Sequence, residues 1–207
     1  MKGKNKNRKN EAGFSLIEMV IVMTIMLVIL AIVSNVFTAA LGTRDRETQK
    51  TDALTTMQAA LNVMSREIGN AGFGLNGNGI VTAGSNEQKI HFRANIINDD
   101  WQTNDAGEDI MYYYDPDIDS VVRYDRYAIP NTSVVINRVS NVTFKYFNYA
   151  GGSSTPTETS TPTSKTGKIK ISLLVQLENV QGQPENQTVR LTTEIALRNS
   201  TYMLNQY

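Results

Sequence analysis

The chain has 207 residues and no cysteine, which rules out disulfide staples and thiolate metal sites. Its 20 basic and 20 acidic residues cancel formally, but the balance is uneven along the chain. Five bases (Lys2, Lys4, Lys6, Arg8 and Lys9) and one acid (Glu11) precede Gly13, so the chain beyond Gly13 has 15 bases against 19 acids, a net charge of −4.

Residues 1–13 read as a basic leader. From Met19 to Val33 the chain is apolar except for Thr24, and weaker apolar character continues to Leu41. As a helix, residues 14–41 would span about 42 Å, enough to cross a bilayer core of about 30 Å with some tilt. The basic flank keeps the leader cytoplasmic and sends the C-terminal part outward. An ordinary secretory signal would need a small-residue cleavage site after the apolar stretch, and Ala39-Ala40 is the only weak candidate. The run Gly13-Phe14-Ser15-Leu16-Ile17-Glu18 sets one carboxylate at the edge of this segment. An acid so placed is costly without a positive partner, so Glu18 points to a function.

Residues 42–70 continue the helix in amphipathic form. Leu54, Met57, Leu61, Met64 and Ile68 are spaced 3-4-3-4, a seam for packing on one face, and Arg44 to Asp52 marks the exit into water. No proline interrupts Phe14 to Gly69, and Gly69, Gly72 and Gly74 supply the stop. The spacing predicts one helix of about 56 residues, roughly 84 Å long. A long coiled coil is the alternative, but the seam lasts barely two heptads.

Residues 71–207 change to a period of two. Lys89–Arg93, Glu108–Asp115, Ser120–Tyr127, Val134–Tyr149, Lys168–Glu178 and Gln187–Arg198 read as strands. Leu191, Thr193, Ile195 and Leu197 mark one face of the last. The clean alternation of Lys168 to Leu173 fits an antiparallel sheet with one wet face. The expected fold class is α+β, a long N-terminal helix packed on an antiparallel sheet domain. Residues 151–167, rich in Gly, Ser, Thr and Pro, read as a mobile surface loop that serves as a spacer, or carries sugars or a partner contact.

No catalytic constellation emerges, and no cofactor is expected. His91, the only histidine, lies in an alternating strand with no nucleophile-elbow pattern and reads as structural. Asp115, Asp117 and Asp119 form a weak calcium candidate, since alternate acids can present oxygens to a hard cation. The spacing lacks the EF-hand glycine and distal glutamate, which favours a solvated hairpin turn. Tyr112, Tyr113, Tyr114, Tyr124, Tyr127, Tyr146 and Tyr149 cluster on strands with interspersed bases. In an acidic body these read as cross-strand packing rather than a nucleic-acid surface, and no nucleic acid is predicted as a partner.

The hexapeptide Gly13 to Glu18 with its apolar run resembles the cleavage and methylation signature of type IV prepilins and type II secretion pseudopilins. The resemblance covers about the first 40 residues and implies a pilin-like fold with no enzymatic activity of its own. It implies that a prepilin peptidase cuts after Gly13 and N-methylates Phe14. Glu18 then pairs with the Phe14 amine of a neighbouring subunit. Arg66 to Phe73, Tyr112 to Asp115, Ser120 to Arg123 and Glu194 to Asn199 are similar to PilW-type minor pilins and the related J-type minor pseudopilins. The implied partners are the peptidase, other major and minor pilins, the inner-membrane assembly platform and, before assembly, membrane lipid. The implied location is the bacterial inner membrane, then a filament. A PilW-type subunit would help prime the filament near its tip, though an acid at Glu18 would lack a partner at the very apex. A minor pseudopilin of type II secretion, a tip-displayed binding or adhesion module, and a membrane-anchored protein that never polymerises are the alternatives. Many major pilins carry a proline in the apolar helix, which this chain lacks, and several carry a C-terminal disulfide, which it cannot form.

Overall fold

The computed structural model describes residues 14–97, 102–149 and 155–204. The chain divides into two units, residues up to Asp45 and residues from Arg46 onward. The element common to both is α1 (Leu16–Gly69), 54 residues long. Its length follows from the absence of proline and from a run of helix-compatible apolar residues, with Gly42 the only glycine inside it before Gly69.

In the first unit every residue from Phe14 to Leu41 is exposed. An 18-residue window here has a mean hydropathy of 3.0, so α1 is long and apolar enough to cross a membrane. The hydroxyls of Thr24, Thr38 and Thr43 donate to the carbonyls of Val20, Ser34 and Ala39 at 2.8, 2.9 and 3.0 Å. Back-bonding of this kind leaves those donors satisfied without water, as a lipid environment requires.

Among the described residues the second unit contains the rest of α1 and eight strands. One antiparallel sheet has the order β1 (Lys89–Arg93), β2 (Asp109–Asp115), β3 (Ser120–Asp125), β4 (Thr132–Ile136). The other has the order β6 (Thr157–Thr159), β5 (Val139–Asn148), β7 (Thr166–Gln176), β8 (Thr188–Ala196). A 3₁₀ turn at Thr82–Gly84 precedes β1, and a short helix, α2 (Thr201–Leu204), follows β8. Met57, Leu61, Met64 and Ile68 of the helical seam are buried, Leu54 is half-buried, and the seam packs with Phe92, Tyr112, Phe144, Tyr146, Ile169 and Ile171 in one core. The arrangement is α+β and pilin-like, a long apolar N-terminal helix whose second half packs on antiparallel sheets.

There are two sheets where one was expected, and the stretch Val134–Tyr149 is two strands rather than one. Arg138 takes a left-handed conformation with φ 59°, turning the chain out of β4 and into β5. The period already slips there: the buried residues Val139 and Val142 are three apart, where the pairing with β7 shifts register. The expected spacer at 151–167 is also corrected. Of its described part, Thr157–Thr159 is a strand on β5 and Thr166 is buried. Asn78 Nδ2 donates to the carbonyls of Thr163 and Thr166 at 3.0 and 2.9 Å, and the Thr166 hydroxyl donates to Asn148 Oδ1 at 2.5 Å, so both backbone and a hydroxyl of this segment are used structurally. Residues 151–154 lie outside the described residues.

The helix ends where glycine lets backbones meet. Gly72 (φ 79°) donates its N–H to Arg93 O at 2.9 Å, and a Cβ at Gly79 would fall 2.0 Å from Gly72 N. Glu67, in the last turn, binds the first sheet. It accepts from Tyr112 Oη at 2.6 Å and from Arg123 Nε at 3.0 Å, and Arg123 also pairs with Asp125 at 3.2 Å. Tyr146 Oη donates to the carbonyls of Asn86 and Lys89 at 2.9 and 3.1 Å, tying the second sheet to the approach to β1.

Burial raises the phenol pKa of both Tyr112 and Tyr146 well above 10.0, and Glu67 raises that of Tyr112 further. A phenol whose folded pKa exceeds its unfolded value contributes stability that is whole below about pH 10 and is lost as the pH rises above it. Spectrophotometric titration is therefore expected to release these two protons only as the domain unfolds. Ionisation of every tyrosine near pH 10 with the fold intact would contradict the buried geometry.

Candidate processing and assembly site

The start of α1 is built from Phe14, Ser15 and Glu18. Ser15 occupies the N-cap position: its carbonyl accepts from Glu18 N at 3.1 Å and Met19 N at 3.2 Å. Phe14 precedes the helix and is 83% exposed. Glu18 is the acid of the first turn, where the partial positive charge of the helix N-terminus favours a carboxylate by about 0.3–1 kcal/mol. It is also the only charged side chain between Phe14 and Thr43. Among the described residues its carboxylate has no hydrogen-bond or ion-pair partner. A lone exposed acid on an apolar helix is a group that a second molecule can satisfy. Gly13 lies outside the described residues.

Residues 8–34 match the family model described as the prokaryotic N-terminal methylation motif. The chain is type IV prepilin-like at its N-terminus. The motif covers residues 8–34 of a 207-residue chain, and the long apolar helix with antiparallel sheets extends the pilin-like character. No curated protein and no solved structure matches the chain. Pilin- and pseudopilin-like proteins are in general non-enzymatic subunits, processed by a prepilin peptidase and assembled with other pilins. The prepilin-like motif and the apolar helix are consistent with residence in the inner membrane and then in a filament.

Elsewhere in this prepilin-like chain the sequence candidates resolve into structure. Asp115, Asp117 and Asp119 stand on the turn of the β2–β3 hairpin, where Asp115 Oδ1 accepts from Asp117 N at 3.0 Å and Asp119 Oδ1 from Tyr114 Oη at 3.2 Å. Among the described residues no group of three or more His, Asp or Glu is placed to hold a metal ion. His91 Nε2 lies 2.5 Å from Asp109 Oδ1, while Arg93 Nε donates to Asp109 Oδ2 at 2.9 Å. Tyr112, Tyr146 and Tyr149 are buried, and the Tyr112 ring stacks on Phe92 with centroids 6.2 Å apart. These tyrosines pack across strands.

Sequence reasoning missed the buried carboxylates. Glu108, Asp109 and Asp125 are all under 5% exposed. Glu108 accepts from the N–H of Ile97 and Asp105, and Asp125 from Gly107 and Tyr127. They hold three connecting segments at one end of the first sheet. No local pattern announces them as a set, because Asp109 is held by the side chains of His91 and Arg93 on the neighbouring strand, and Glu108 and Asp125 each add a distant backbone partner, Ile97 and Gly107, to a local one.

Proposed function

We propose that this chain is a minor type IV pilin that helps prime or form the tip of a pilus filament. Prepilin peptidase cuts after Gly13, freeing a cationic amine at Phe14 that is then N-methylated and stays cationic. Residues 14–41 hold the subunit in the inner membrane until the assembly platform draws it into the filament. There Glu18 of one subunit meets the Phe14 amine of its neighbour, in surroundings of low dielectric where the pairing is strong and selective for one stagger.

The observation that carries this reading is the position of Glu18. It is the only charge on an exposed apolar helix start, in the first turn beside Phe14. Cleavage would place an ammonium beside the positive helix end, and only an acid in that turn or on a neighbour can offset it. Mass spectrometry of sheared surface filaments tests the proposal. The expected result is a peptide beginning at monomethylated Phe14. Filament-bound chains that retain residues 1–13, or a mature N-terminus beyond Leu41, would refute it.

A further inference from the structure

The segment that follows α1 holds the two Asn-Gly pairs of the chain, Asn76-Gly77 and Asn78-Gly79, and the fold treats them oppositely. We propose that Asn76 is a site of spontaneous covalent modification, converted through a cyclic imide to aspartate and isoaspartate, while Asn78 is protected. This chemistry belongs to the globular domain and does not depend on the helix pairing described above.

The reaction needs a side-chain amide that is free to turn and a following backbone nitrogen that can approach it. Gly77 N attacks Cγ of Asn76. The N–Cγ bond forms, the Cγ–Nδ2 bond breaks, and the amide proton of Gly77 ends on the leaving ammonia. Water then opens the imide. Cleavage of the N–Cγ bond gives aspartate, and cleavage at the main-chain carbonyl gives isoaspartate, whose backbone runs through the former side chain. Glycine in the second position favours ring closure, because no Cβ obstructs the approach and the backbone turns freely. Solvent water is the only co-reactant, and nothing is oxidised or reduced.

Asn76 and Gly77 meet these requirements. Both are exposed, and neither the Asn76 side chain nor the Gly77 N–H has a hydrogen-bond partner among the described residues. A Cβ at Gly77 (φ 129°) would find nothing within 4 Å. Two residues on, the same dipeptide is locked. Asn78 is 5% exposed, and its Nδ2, the group that would leave, donates to Thr163 O and Thr166 O at 3.0 and 2.9 Å. Its Oδ1 accepts from Ile80 N at 3.1 Å. Gly79 is clamped as well, since its carbonyl accepts from Arg93 N at 2.8 Å and the Gly72 backbone fills the space where a Cβ would stand. Ring closure at Asn78 therefore requires a local opening that breaks three side-chain hydrogen bonds, whereas Asn76 reacts within the native fold. Each event adds a carboxylate to a chain that already carries −4 beyond Gly13. Isoaspartate also lengthens the backbone just before the close approach of Gly77 O to Gly72.

The test holds the full-length chain, purified in detergent, at mildly alkaline pH, which speeds loss of the Gly77 amide proton, and samples it over days. The tryptic peptide from Glu67 to Lys89 carries both pairs, and its fragmentation assigns the amide-to-acid mass change to one residue. Conversion at Asn76 should outpace conversion at Asn78 by about tenfold or more. Part of the product should accept label from an isoaspartyl methyltransferase. In guanidinium chloride that unfolds the domain, the two sites should convert at similar rates. Asn76→Gln, which would have to close a larger ring, should abolish the fast conversion and leave the fold intact. An Asn76 that stays an amide in the folded chain, or equal rates at both sites before unfolding, would overturn the assignment. Product without isoaspartate, fast conversion surviving in Asn76→Gln, or an Asn78 still protected in the denaturant would do the same. The assay does not require filament entry, so it stands even if the assembly role of Glu18 fails.

Discussion

Glu18→Ala should leave the chain in the membrane and exclude it from filaments. Insertion is not impaired, because the substitution removes the only charge from residues 14–43, and an acid there opposes burial in lipid. Assembly is impaired because the neighbour's Phe14 amine would then enter a low-dielectric helix bundle without its partner. Breaking a buried ion pair from one side costs about 3–5 kcal/mol. At about 1.4 kcal/mol per tenfold, incorporation should fall by roughly two to four orders of magnitude. Immunoblots of sheared filaments against isolated membranes measure both quantities in one culture. Glu18→Asp keeps the charge on a shorter arm and should retain part of the incorporation. Wild-type incorporation of the alanine variant would show that the acid does not set the stagger.

The second large effect is on stability. Phe144 is 0% exposed, lies in β5 between β6 and β7, and faces Ile171 across the pair. Phe144→Ala removes a buried ring and leaves a cavity, at a cost of about 3–5 kcal/mol. Against a total of about 5–15 kcal/mol this is a large share, so the unfolding midpoint in urea should drop sharply. Phe147 supplies the control on the same strand. Its ring lies on the wet face, with Lys168 Nζ 4.4 Å and Lys170 Nζ 5.4 Å from its centroid. Phe147→Ala should cost less than half as much, since it gives up a cation–π contact and partial burial rather than core packing. Equal losses from the two variants would mean that β5 does not have this inside and outside.

The helix was legible because its signals are local. An uninterrupted apolar run, a 3-4-3-4 seam and a glycine stop each concern residues within a few turns of one another, and α1 runs from Leu16 to Gly69 as the spacing predicts. The strands were legible for the same reason where alternation is clean, as in β1 and β7. Alternation carries no information about which strand pairs with which. The stretch from Val134 to Tyr149 looked continuous, and only the turn at Arg138 assigns its halves to different sheets. The threonines of 157–166 looked like a spacer because one anchor, Asn78, lies far away in sequence, and the pairing with the neighbouring β5 has no alternating apolar pattern to signal it.

The address of this protein is written in its amino-acid sequence. The basic leader, the hexapeptide from Gly13 to Glu18 and the apolar helix act over distances of a few residues, so composition and spacing suffice to read them. Folding in three dimensions is what brings Glu67 to Tyr112 and Arg123, and what lets Glu108, Asp109 and Asp125 fix the connecting segments at one end of the first sheet. Those relations depend on strand register and sheet order, which bring together residues tens of positions apart and which no local periodicity encodes.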